Sequence, residues 1–421
     1  MTDAAGTEPP EQRRILRVLI AAQILSGAGL AAGITVGALL AQDMLNTTGL
    51  AGLPAALFTV GSAAAAAGVG RLSDRAGRRA GLTWGYALGA LGCAGVVIAA
   101  VIGNVPLLFA SFFVYGAGTA TNLQARYAGA DLADPARRGR AVSAVLVATT
   151  LGGVLGPNLV APMGSLAAAW GIPPLAGPFL LAGAAYAVAA LVLGVLLRPD
   201  PLLRARELAV PVTATPATGA QEAARSGVVL GAAVMILTQL VMVAIMTMTP
   251  IHMAAHGHTL GAAGLVIAIH VAAMFLPSPI SGRLVDRLGP VPVAVASGAT
   301  LLVAGVLAAV APGESLVVLT IALALLGLGW NLGLVSGTAI ITDAVPLERR
   351  ATTQGTVDVG IAISGTGGGL ASGLVVAAAG FPVLALAGAA FALAIVPIAP
   401  PPRAEPEPLP ALHRLRQNLD I

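Results

Sequence analysis

The chain has 421 residues, of which 57% are hydrophobic and 10% charged, and its mean hydropathy is +0.90. A soluble globular domain carries about a quarter charged residues, so this composition excludes one and makes lipid the solvent for most of the chain. The pI near 10.0 rests on 22 basic residues, all of them arginine, whose spacing along the chain matches membrane topology and gives no support to a nucleic-acid partner.

A helix crossing the hydrocarbon core needs about 20 mainly apolar residues. Such runs are predicted in the first half at 15–40, 50–70, 80–101, 105–127, 141–163 and 176–197. The first run follows Arg13, Arg14 and Arg17, contains Gln23 and Ser26, and meets no carboxylate before Asp43. It is too long for the apolar core of a cleavable leader and reads as a retained anchor. Asn46-Thr47-Thr48 matches a glycosylation sequon but lies too close to this span to be used. Cys93, the single cysteine, falls inside the third run and excludes an intramolecular disulfide. Arg126 is expected at the inner end of the fourth run, where its side chain can snorkel.

Residues 198–226, with four prolines and four arginines, read as a linker between halves. A second set of runs follows at 227–249, 260–282, 290–311, 316–342, 351–378 and 381–399, and then a polar tail at 400–421. The expected organisation is a half at 1–197, the linker at 198–226, a half at 227–399 and the tail. Arginines occupy every second connection, those holding Arg71–Arg79, Arg137–Arg140, Arg198–Arg225, Arg283–Arg287 and Arg349–Arg350, as well as both termini. Under the positive-inside rule both termini are then cytoplasmic and the number of spans is even. The runs are helical in length, unlike the alternating segments of an outer-membrane barrel.

Gly70-Arg71-Leu72-Ser73-Asp74-Arg75-Ala76-Gly77 and Gly282-Arg283-Leu284-Val285-Asp286-Arg287-Leu288-Gly289 share six of eight residues at an offset of 212, half the chain. Ala133-Asp134-Pro135 with Arg138 is echoed by Ala344-Val345-Pro346 with Arg349. The first of these segments, extended through Arg78 and Arg79, resembles the signature that major facilitators carry between their second and third spans. That resemblance implies an all-α integral membrane protein of about twelve transmembrane helices in two parallel six-helix repeats. It also implies a cytoplasmic gate at Gly70, Asp74, Arg75, Gly77, Arg78, Gly282, Asp286 and Arg287, which breaks and re-forms as the halves rock. Two ionisable residues inside spans, Asp358 and Arg126, are candidates for proton coupling or for the latch, because charge inside a membrane is rarely idle.

The window 235–274 holds six of the nine methionines and four of the five histidines. Met242 and Met246 share one face of span seven, and His270 and Met274 one face of span eight. Those two spans, joined by a short loop, are expected to be neighbours. Met248, His252, Met253, His256 and His258 extend the group outward as a candidate entry route. Thioethers select soft Cu(I) and imidazole accepts copper, zinc or nickel, so Met242, Met246, His270 and Met274 are candidate copper-handling residues. The patterns Met-x-x-x-Met and His-x-x-x-Met resemble those of the bacterial CcoA-like copper importers. That resemblance implies copper as the transported substrate at the cytoplasmic (inner) membrane, no permanently bound cofactor, and delivery through a cytoplasmic recipient toward a cytochrome oxidase of the cbb type. Two other readings stay open: a proton-coupled efflux carrier for small organic molecules, and a non-transporting membrane sensor or assembly factor. No nucleophile with a base, carboxylate pair or phosphate loop points to an enzyme.

Overall fold

A computed structural model describes residues 9–45, 53–209 and 218–395. The sequon at Asn46, the middle of the linker and the tail at 400–421 lie outside the described residues. Among the described residues the regular structure is helical throughout.

The first half comprises α1 (Pro10–Leu45), α2 (Leu53–Ile102), α3 (Val105–Ala130), α4 (Arg138–Asn158), α5 (Val160–Ala169) and α6 (Gly177–Leu196). Spans two and three, expected as separate helices, run on as the single 50-residue α2 and part only at Gly77, whose φ of 88° suits a residue without Cβ. Gly289, at the same place in the second copy of the motif, has a φ of 87°. The predicted fifth span is divided between α4 and α5. Asn104 starts α3 by accepting a hydrogen bond from Leu107 N.

A short helix, α7 (Pro201–Leu208), forms within the linker, its first turn capped by Asp200. The second half comprises α8 (Thr218–Ala255), α9 (Leu260–Phe275), α10 (Ser278–Leu288), α11 (Pro290–Val310), α12 (Leu316–Ala344), α13 (Arg350–Ala379) and α14 (Phe381–Leu393). Span eight breaks at Leu276-Pro277 into α9 and α10, because proline removes a helix hydrogen bond and clashes with the preceding turn.

The buried apolar side chains form two cores. One lies in the first half, on Leu19, Leu82, Tyr86, Phe112, Tyr115 and Phe179; the other is centred in the second half on Val234, Val266, Leu301, Leu323, Val335 and Ala385 and also takes in Ala130, Val142 and Leu146 of the first. Small residues bring helices together, as membrane packing requires: Gly92 of α2 lies against the Tyr115 backbone of α3. Large apolar side chains such as Leu91, Leu191, Leu370 and Leu374 point outward, 63–75% exposed, as a lipid-facing surface needs.

The halves meet chiefly through α2 on α13 and α4 on α10. Gly70 and Gly355 form the first crossing. A Cβ on Gly70 would lie 2.7 Å from Ala351 O, and one on Gly355 would lie 2.6 Å from Ala66 O. Gly139 and Gly282 form the second in the same way. Both crossings lie at the end of the bundle that carries the arginine-rich connections, while α5, at the far end, packs on α6 of its own half.

Candidate functional site

The two repeated aspartates hold the halves together by the same device. Asp74, on α2, accepts from Ala351 N at 3.0 Å and Thr352 N at 2.7 Å in the first turn of α13. Asp286, on α10, accepts from Gly139 N at 2.7 Å and Arg140 N at 3.2 Å in the first turn of α4. The capped positions keep the offset of 212. Each carboxylate therefore satisfies N–H groups that the opposite half's helix leaves open, and sits at the positive end of that helix. Arginines complete each site: Arg206 of α7 donates to Asp74 Oδ1 at 3.0 Å, and Arg140 Nε donates to Asp286 Oδ2 at 2.8 Å.

Arg75 and Arg287, expected in the gate, are exposed and make no ion pair among the described residues. Arg78, expected in the same set, does cross to the opposite half. Fully buried, it donates to Asp131 Oδ2 at 2.8 Å and, across the interface, to Gln354 Oε1. Arg138 pairs with Asp343 beside it.

Deeper in the bundle, Arg126 of α3 and Asp358 of α13 form an ion pair at 2.8 Å, with side chains 0% and 2% exposed. The expected snorkelling of Arg126 does not occur, because its guanidinium turns inward and reaches three helices of the other half. It donates from Nε to Thr338 Oγ1 of α12 at 3.0 Å, from Nη2 to Asp358, and lies 3.9 Å from Met235 Sδ of α8. Tyr127 stacks beneath it at 4.1 Å and also donates to Asp358 Oδ1 at 3.2 Å. Asp358 Oδ2 is buried with no hydrogen-bond partner.

Neutral polar groups form a second set in the first half. Gln23 Nε2 donates to Thr149 Oγ1 and to Asn122 O, Tyr86 OH donates to Gln23 Oε1 at 2.7 Å, and Asn122 Nδ2 donates to Ser26 Oγ at 2.8 Å. All are buried on α1, α2, α3 and α4. In the second half Trp330 Nε1 donates to Gln239 Oε1 at 2.7 Å, and Phe275 meets the indole edge to face at 5.6 Å.

The methionine and histidine group is spread over several surfaces. Spans seven and eight are not the close neighbours expected: α8 and α9 each pack extensively on α12 and only slightly on one another. Met242, Met248, Met253 and Met274 are buried in the second half's core, with Met246 packed against it. Of the outer histidines, His252 stacks on Phe381 at 4.3 Å, His256 Nδ1 lies 2.8 Å from His252 O, and His258 Nε2 lies 2.9 Å from Gly313 O. His270 differs from these. Its Nδ1 is tied to Leu323 O at 2.8 Å, and its Nε2 is buried without a partner.

These features define a two-half helical bundle closed at one end by repeated carboxylate caps. The family model of the Major Facilitator Superfamily matches residues 19–275 and 234–419. The chain belongs to the major facilitator superfamily. It is therefore a multi-pass membrane transporter. It is 56% identical over 392 residues to the uncharacterized MFS-type transporter YdeG of Bacillus subtilis (strain 168), covering 92% of this chain and 91% of that one. It is 32% identical over 371 residues to the riboflavin transporter RfnT of Brucella anthropi, covering 85% and 86%. The crystal structure of the human organic anion transporter MFSD10 (TETRAN) superposes with a TM-score of 0.75 at 16% identity, over 93% of this chain and all of that one, a likeness of fold.

Sequence reasoning missed several residues at the contact between the halves of this facilitator. Asp200 caps α7 and accepts from Arg79 N at 2.7 Å, and Arg206 bridges Asp74 to the carbonyls of Leu347 and Glu348. The signal was present, since Asp200-Pro201 is a helix start, but the prolines around it read as plain linker. Gln354 and Tyr127 carried no signal, because a neutral residue in an apolar run becomes informative only once its partner is known.

Proposed function

We propose that this facilitator is an alternating-access carrier for a small organic solute, coupled to protons through Arg126 and Asp358, with its arginine-rich end in the cytoplasm. The observation that carries the reading is the buried pair joining the halves. A proton on Asp358 discharges that pair and leaves Arg126 held by neutral groups alone, so protonation weakens the contact that keeps the halves closed. With the positive-inside rule setting orientation, closure at the arginine-rich end makes this the outward-facing state. The carrier then opens to the cytoplasm when the Asp74 and Asp286 caps and the deeper pair separate.

The solute is read as uncharged and aromatic. Gln23, Tyr86, Asn122 and Thr149 offer amide and hydroxyl groups rather than fixed charge, and Trp330 offers an indole face beside Gln239. The relative RfnT, a riboflavin transporter, supports a planar heterocycle of flavin size as the first solute to try.

Copper is the second reading, and one observation favours it. The bond from Nδ1 to Leu323 O fixes His270 as the tautomer with a bare Nε2, the arrangement that orients a metal-ligating imidazole. Proteoliposomes holding the purified protein, given riboflavin or radioactive copper with and without a proton gradient, separate the readings. Riboflavin accumulating with the gradient, and no longer doing so in Asp358→Asn, supports the first. Copper accumulation that disappears in His270→Ala and Met274→Ala, with riboflavin inert, replaces it with the second.

A further inference from the structure

A groove runs along the bundle where α1 and α4 of one half meet Leu276 and α10 of the other. It has a volume of about 560 Å³ and is apolar along its length, between Ile20 and Ile24 of α1, Val147 and Leu151 of α4, and Leu276 and Pro279 of the second half. Two arginines, Arg140 and Arg283, close its arginine-rich end. We propose that the groove binds an anionic phospholipid, with the phosphate on these guanidinium groups and an acyl chain along the apolar walls.

The charge at the mouth is unbalanced. Asp286 engages only Nε of Arg140, whose side chain stays 52% exposed. Arg283 is exposed, donates to Pro279 O at 3.3 Å, and has no carboxylate partner among the described residues. Arg13, Arg17, Ile20 and Ile24 follow one another at spacings of four, three and four, which puts them on one face of α1. The two exposed N-terminal arginines thus extend the cationic mouth outward from the isoleucines that line the groove.

A soluble anion would leave the apolar trough unused, and a zwitterionic lipid would leave the excess cation unanswered. A ligand with one negative phosphate and a hydrocarbon tail answers both, as basic pockets between transmembrane helices do for anionic headgroups. Because the walls come from both halves, the groove has this shape only while α4 lies on α10. Lipid bound there therefore favours the closed gate.

The test is native mass spectrometry of the full chain in detergent, titrated with phosphatidylglycerol or with phosphatidylcholine. The wild type is expected to retain phosphatidylglycerol roughly tenfold better than phosphatidylcholine, each surface arginine contributing a modest share. The double variant Arg17→Gln with Arg283→Gln loses that preference, and Arg283→Lys alone keeps most of it. Val147→Trp leaves every arginine in place but fills the trough, and it loses retention of phosphatidylglycerol. All variants are compared as monodisperse peaks on size exclusion, so that a folding defect is visible. A wild type that does not distinguish the two lipids, or unchanged retention in the double variant and in Val147→Trp, overturns the proposal.

Discussion

Arg126 and Asp358 are both buried, and their energetics follow from that. Removing one partner of a buried pair leaves an uncompensated charge and costs about 3–5 kcal/mol, whereas removing both charges together costs much less. Arg126→Gln should therefore lower the thermal stability of the purified protein sharply, and Arg126→Gln with Asp358→Asn should recover most of the loss. A double variant no more stable than the single one would mean that the pair is not the main interaction of either group. Asp358→Asn keeps the size and most of the hydrogen bonding of the side chain but cannot cycle a proton. It should abolish accumulation driven by a proton gradient while leaving solute exchange at equal pH on both sides. Loss of both activities would instead assign Asp358 to solute binding or to the fold.

The contact between the halves is built at the level of whole helices, and the repeated aspartates cap helix ends of the opposite half. Replacing a capping side chain at a helix start by alanine costs about 0.5–2 kcal/mol. Asp74→Ala and Asp286→Ala should each shift the closed-to-open equilibrium by about twofold to thirtyfold, a factor of ten corresponding to about 1.4 kcal/mol. Distances between spin labels placed across the arginine-rich end would read the shift. Arg75→Gln and Arg287→Gln should leave those distances as they are, since both side chains are exposed and make no ion pair among the described residues. The linker helix α7 touches the same contact. Arg206 binds Asp74 of one half and the Leu347 carbonyl of the other, so Arg206→Gln should shift those distances in the same direction as Asp74→Ala.

At the scale of the molecule, two cores, each centred in one half, with the halves meeting chiefly through two helix crossings, are what rigid-body rocking requires. The glycine crossings make the closed state possible, because a side chain at Gly70 or Gly355 would strike the backbone opposite. Gly70→Leu and Gly355→Leu should therefore each disfavour the closed state, lengthening the distances between spin labels across the arginine-rich end and lowering solute turnover. Unchanged distances in both variants would show that closure does not depend on this close approach.

Membrane residence, helical character and the twofold repeat were legible in the chain. Each rests on a regularity of one dimension: apolar runs of spanning length and a motif recurring at 212. The positions of Asp74 and Asp286 followed from the same recurrence. The partners did not, because pairing across the halves joins residues hundreds of positions apart, as Asp74 with Thr352 and Arg126 with Asp358. Only the tertiary structure decided that Arg78 rather than Arg75 is buried in the gate, that Arg126 turns inward, and that α12 lies against both methionine-bearing helices. Helical spacing assigns a side chain to a face, but which neighbour that face meets depends on how the helices pack around it.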